Sequence, residues 1–216
     1  MKYQRVTTHL AETMSKLDVD KAMRDDYAKC ILADPQILAN IVKVIVPEFR
    51  EYSIKDIIPC IGETIVSLTV PEKLCIKIES DGTEDVDIKD GKIIYDIRFP
   101  LYYNTRTIKI LVNVEAQKSI SYTKLGYHIE SRMVYYMARL VSSQKNVEFI
   151  KSNYDDIKDV YSIWICMDTE ADEDSIIELG LQPRVIYGNT SWLPQRSIMN
   201  GAVIRIRSRA DVEESK

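Results

Sequence analysis

The stretch 110-ILVNVEAQK-118 decides how this chain is read. Its apolar, β-branched residues make a strand. Side chains alternate along a strand, so Ile110, Val112 and Val114 share one face while Asn113, Glu115 and Gln117 share the other. One face packs, and the other meets solvent or does chemistry. Upstream, Lys92 to Leu101 also reads as a strand, and Asn104-Thr-Arg-Thr107 suits a hairpin turn between them. A register that sets Asp96 opposite Glu115 leaves a loop of about four residues, a common hairpin length. Opposite residues share a face, so the two carboxylates would meet with about 5 Å between their β-carbons. Carboxylates that close repel unless a proton or cation separates them. A divalent, oxygen-preferring ion, most simply Mg2+, resolves the conflict. The plainer alternative leaves Asp96 and Glu115 facing solvent on a sheet edge, each balanced by Arg98, Lys109 or Lys118. Asp96→Asn separates the two, because it relieves the repulsion and would then melt at or above the metal-free protein.

The N-terminal third is helical in pattern. One helix covers roughly Val19 to Leu32. A second starts at Asp34-Pro35, with Asp34 as cap, Pro35 in the first turn and a stripe of Ile37, Leu38, Ile41, Val44 and Ile45. Ser53-Ile-Lys-Asp56 reads as the capping box of a short helix through Pro59 and Ile61. Short strands take over from Thr64 to Glu115, with turns at Asp81-Gly82 and Asp90-Gly91.

Beyond the hairpin a long amphipathic helix is expected from Tyr122 to Gln144, then an interior strand from Val160 to Met167. The acidic run Asp168 to Glu178 reads as a solvated loop leading into another helix. In the tail, Arg205, Arg207 and Arg209 are either solvated charges on an edge strand or a phosphate-contacting stripe. The pieces make one α/β domain over 1–216, with a mixed central sheet flanked by helices. Its parts are a helical region at 1–62, a sheet and crossover helix at 64–167, and an acidic loop with a C-terminal strand at 168–216.

A chain of 216 residues buries about 70% of its unfolded surface and needs no metal or disulfide staple to fold. Cys30, Cys60, Cys75 and Cys166 form no C-x-x-C pair and sit among apolar neighbours, as buried reduced thiols do. No apolar run approaches the roughly 18 residues of a spanning helix, and the first residues lack a signal peptide's apolar segment, so a cytoplasmic protein without membrane contact is expected. A net charge of −4 argues against bulk attraction to nucleic acid and leaves a local basic groove open.

Four blocks, 91-GKIIYDIRF-99, 108-IKILVNVEAQKS-119, 126-GYHIESRMVYYMARLVSSQ-144 and 154-YDDIKDVYSIWICM-167, in this order and spacing, resemble the PD-(D/E)XK nuclease superfamily. The similarity is narrower to its bacterial branch of nuclease family transposases, related to the recombination-promoting Rpn nucleases, and covers about Asp25 to Met167. The resemblance implies a restriction-endonuclease-like core and a Mg2+-dependent endonuclease (Mn2+ substituting) that hydrolyses DNA phosphodiesters on behalf of a mobile element. By the same resemblance Asp96 and Glu115 are the two strand acids, the Ala116 carbonyl completes the metal shell, and Gln117 stands at the superfamily's lysine position. A neutral amide orients water or ligand but supplies no ammonium, and alternation points Lys118 to the opposite face.

Three further residues are candidates. Arg132 falls near the apolar stripe of its helix, where its guanidinium either pairs with a site carboxylate or phosphate or snorkels past Tyr135. His128, four residues before it, faces the same groove or is structural. Glu63 is a candidate extra acid or a loop residue. Against the nuclease stand two other functions: a nuclease-fold module that binds nucleic acid or a partner without cutting, and a decayed protein. Members of the branch continue with helical sequence past the position of 202-AVIRIR-207, and exposure of the surface it covers would favour a homodimer.

Overall fold

Asp34 ends one helix and begins the next. Its carboxylate accepts the Gln36 N–H at 2.8 Å and Pro35 occupies the first turn, so α2 (Pro35–Ile45) follows α1 (Lys21–Leu32) with a two-residue break. In α2 the buried residues are Leu38, Ala39 and Val42, while Val44 is exposed. The buried edge runs Ala39, Val42, Val46 into Phe49, and this pull turns the expected stripe away from Val44. Ser53 then caps α3 (Ile54–Ile57). Its hydroxyl donates to the Asp56 carboxylate at 2.6 Å, and the chain passes into a 3-10 turn at Ile58–Cys60.

The computed structural model describes residues 21–66, 84–87, 91–103, 108–117, 120–168, 173–194 and 196–207, with the backbone alone at 21–25, 84–87, 91–94, 108–117, 167–168 and 207. The turn signals at 81–82 and 90, the hairpin loop 104–107, Cys75, Lys118 and Arg209 lie outside these residues.

The sheet has six strands in the order β1 (Ile65–Val66), β4 (Ile97–Tyr103), β5 (Ile108–Gln117), β6 (Val160–Asp168), β8 (Met199–Arg207) and β7 (Ser175–Gly180). β4 is antiparallel to β1 and β5, the trio β5, β6 and β8 is parallel, and β7 returns antiparallel along β8. β2 (Glu84–Asp87) and β3 (Gly91–Ile94) form a separate antiparallel pair. The parallel step from β5 to β6 requires a crossover, which α4 (Tyr122–Leu125) and α5 (Ile129–Ser142) provide. Gln144 ties the end of that crossover to the next strand: its buried amide accepts the Lys158 N–H at 2.8 Å and donates to the Lys158 carbonyl at 3.0 Å. The molecule is thus α/β with a mixed sheet. α2 covers one face over Phe99, Leu101, Ile163 and Ile165, and α5 covers the other with Met133, Met137 and Leu140 over Trp164 and Val203.

Five expectations are corrected by this arrangement. The crossover helix is broken at Gly126, whose φ of 77° is left-handed and favours glycine. The strand expected from Lys92 to Leu101 bends at Asp96, because its first half pairs with β2 and its second half with β5. Where a helix was expected after the acidic run, Ile176 and Ile177 extend as β7 along the open edge of β8. The tail strand is consequently interior, and Arg205 lies half-buried in register with Cys166 on one side and Ser175 on the other. Lastly, Cys30 is disulfide-bonded, while Cys60 and Cys166 are free. A disulfide needs two β-carbons within about 4.5 Å, which folding arranges and spacing in the chain does not reveal.

Gly62 is required where the chain crosses β4. Its N–H donates to the Pro100 carbonyl at 2.9 Å, and a β-carbon there would stand 2.6 Å from Pro100 Cγ and 2.7 Å from Tyr102 Cε2. A proline ring is tied to its backbone and cannot swing aside. Gly62→Ala should therefore lower stability by about 1–3 kcal/mol, read as a lower urea midpoint with unchanged slope.

Candidate active site

The β4–β5 hairpin runs in register from Ile97 opposite Val114 to Tyr103 opposite Ile108, which leaves four residues, 104–107, in the loop. Continued by one residue, the same register sets position 96 against position 115. Asp96 itself lies in the bend just before β4. The bend sends Tyr95 into the α5 side of the core, where its ring meets Tyr136 edge-on at 5.4 Å. Asp96 turns instead toward α1, and its Oδ1 lies 2.9 Å from the Lys29 ammonium, with the two side chains 17% and 16% exposed. Sequence reasoning missed Lys29, since nothing in the spacing of positions 29 and 96 joins them. Of the balancing cations it did name, Arg98 lies 5.9 Å from the Tyr95 ring.

Across the sheet, position 115 is in register with Trp164 of β6 and position 117 with Cys166. Trp164 is fully buried, and its indole N–H donates to Ser162 Oγ at 2.8 Å. Against it lies Arg132, whose guanidinium carbon is 5.0 Å from the Trp164 ring, 4.8 Å from Tyr136 and 5.8 Å from Tyr127. The same guanidinium donates to the hydroxyls of Tyr127 at 2.8 Å and Tyr136 at 2.5 Å. Arg132 is therefore held, half-buried, in an aromatic box against the strand next to position 115. Half of that box was legible, because Arg132 and Tyr136 are i and i+4 on one helix.

His128 and Glu63 stand apart from this group. The helix starts after His128, whose exposed ring stacks on Tyr122 at 4.8 Å with Nδ1 3.6 Å from Glu130 Oε1. Glu63 is exposed in the segment before β1, level with Pro100 by the Gly62 hydrogen bond. That is four residues along the strand from Asp96, on the order of 13 Å.

Cys60 offers no nucleophile. Burial, and after it the nearby Asp56 carboxylate, push its thiol above the ordinary range, so it stays protonated and inert. Among the described residues no group of three or more His, Cys, Asp or Glu is placed to hold a metal ion. The side chains of Glu115, Ala116 and Gln117 lie outside that description. What the described parts define is an acid at the mouth of a β-hairpin, an ammonium against it, and a caged arginine on the neighbouring strand's side. This is an α/β protein with a mixed sheet and an Asp96–Lys29 ion pair at the bend before β4. No family model, no curated protein and no solved structure matches the chain.

Proposed function

We propose that this protein is a Mg2+-dependent endodeoxyribonuclease with a restriction-endonuclease-like core, acting in the cytoplasm in the service of a mobile element. The observation that carries the reading is the hairpin register, which ends at Ile97 opposite Val114 and so leaves Asp96, in the bend, and position 115 as the next residue on each side. Support also comes from the parallel step from β5 to β6, with α4 and α5 between them in the chain.

The donor set fits a hard divalent ion: carboxylate oxygens from Asp96 and Glu115 with the carbonyl of Ala116 are the ligands such an ion takes. The Lys29 ammonium beside Asp96 shows that a positive charge is accommodated at this acid. When bound, Mg2+ or Mn2+ would lower the pKa of a coordinated water and neutralise developing oxyanion charge. The chain's own residues do the rest. Asp96 and Glu115 hold the charge in place, Gln117 orients water through its amide, and Arg132, fixed by Trp164 and Tyr136, presents a planar guanidinium suited to a phosphate. One observation pulls the other way on location: a reducing cytoplasm does not favour the Cys30 disulfide.

A second reading, binding without cutting, is favoured by the Lys29–Asp96 pair, because an ammonium in the cation's place needs no metal. The two readings separate on Lys29→Met. Removing the ammonium should cost the metal-free protein about 1–2 kcal/mol. It should also let Mg2+ raise the melting temperature further than in wild type, since the ion no longer competes with a positive charge. Scanning calorimetry with and without millimolar Mg2+ measures both. No Mg2+ shift in either protein would leave the binding module as the better account.

A further inference from the structure

Between β7 and β8 the described residues from Leu181 to Ile198 form no helix or strand, and residues 181–194 are exposed throughout. Structureless loops longer than about 12–15 residues are uncommon in compact domains and are mostly functional. This one is an arm. It turns back at Gly188, which has a left-handed φ of 79°, and its return is pinned where Arg196 donates to the Ile157 carbonyl at 2.6 Å and to Asp159 at 3.1 Å. The arm carries Leu181, Ile186, Tyr187 and Trp192 at 70%, 87%, 97% and 74% exposure. Beside it, among the described residues, β7 has a neighbour on one side only, and Ile176 and Ile177 of that strand are exposed. An open strand edge flanked by large apolar side chains is a pairing surface.

We propose that two copies of this chain associate about a two-fold axis, with β7 pairing antiparallel to β7 of the other copy and each arm lying across its partner. Two observations choose a second copy as the occupant. The arm and the two β7 isoleucines offer on the order of 1,000 Å2 per copy, against about 800 Å2 per partner in a stable complex. The charges also match under this symmetry. Antiparallel self-pairing brings the start of β7, preceded by Glu173, toward the end of the other β7, which leads into Arg184. Arg184 has no ion-pair partner among the described residues of its own copy. The pairing joins two six-stranded sheets into one, an isologous arrangement in which each patch meets itself.

Sedimentation equilibrium of the full chain tests this, together with tryptophan emission. Trp164 is buried in the single chain, so a blue shift that grows with protein concentration belongs to Trp192. A dimer is expected, and the double variant Tyr187→Ser/Trp192→Ser should raise its dissociation constant at least about a hundredfold while leaving the melting of the monomer unchanged. Ile177→Lys, a charge on the edge strand, should weaken it as well. Arg184→Glu should weaken the dimer and Glu173→Arg added to it should restore affinity. A monomer at every concentration, a dimer indifferent to these variants, growth beyond two copies, or failure of the charge swap to restore affinity would overturn the proposal. So would a monomer whose Trp192 emission shifts only on adding duplex DNA or anionic vesicles, which would assign the arm to that occupant.

Discussion

Asp96→Ala is expected to abolish Mg2+-dependent cleavage of duplex DNA, a fall of at least about a thousandfold in kcat/KM, equivalent to roughly 4 kcal/mol of transition-state stabilisation. The carboxylate is the described acid at the mouth of the hairpin, and on the proposed reading no other group can replace its charge at that bend. Cleavage should fall steeply with salt in the wild type, as phosphate contacts are screened. Stability must be measured alongside, because Asp96 has a structural role too. The sequence alone suggested that Asp96→Asn would relieve a repulsion and melt at or above the metal-free protein. With Lys29 at 2.9 Å the repulsion is already balanced, so Asp96→Asn should instead melt below it. An Asp96→Ala protein that is folded and still cuts would end the nuclease proposal, and wild type inert at every salt and metal condition would do the same.

Trp164→Ala should cost about 3–5 kcal/mol of folding free energy, the largest effect expected of any single core truncation here. The indole is fully buried beneath α5, lies 5.6 Å from the Tyr136 ring and donates to Ser162 Oγ. Truncation leaves a cavity, strips Ser162 of its buried donor, and removes one wall of the box that holds Arg132. Trp164→Phe keeps most of the volume and loses the hydrogen bond, so it should cost about 1 kcal/mol plus a small packing term. Urea titrations of the three proteins decide it. A loss below about 1 kcal/mol for Trp164→Ala would mean that the α5 face is far less tightly packed than the buried areas indicate.

Local rules were enough for much of this architecture. Asp34-Pro35 and Ser53-Ile-Lys-Asp56 start helices because a side-chain oxygen and a preset φ act within three residues, whatever the rest of the chain does. The hairpin register followed from the four-residue loop, and the interior position of Val160–Asp168 from its unbroken apolar run. Both Asp96 and position 115 were therefore legible as candidates before any coordinates.

Everything that joined distant segments was decided by the tertiary structure. The break at Asp96 arises because two partner strands, β2 and β5, claim the two halves of one alternating run, and periodicity cannot show a change of partner. The pairing of Lys29 with Asp96, the Cys30 disulfide and the Trp164 wall of the Arg132 box join residues far apart in the chain. β7 became a strand rather than the start of a helix because β8 offered it an edge, and that same event left Tyr187 and Trp192 out in solvent. Propensity and capping act over one turn, whereas the partner a side chain finds depends on which surfaces the packed sheet leaves open, and that is set only when the whole chain has folded.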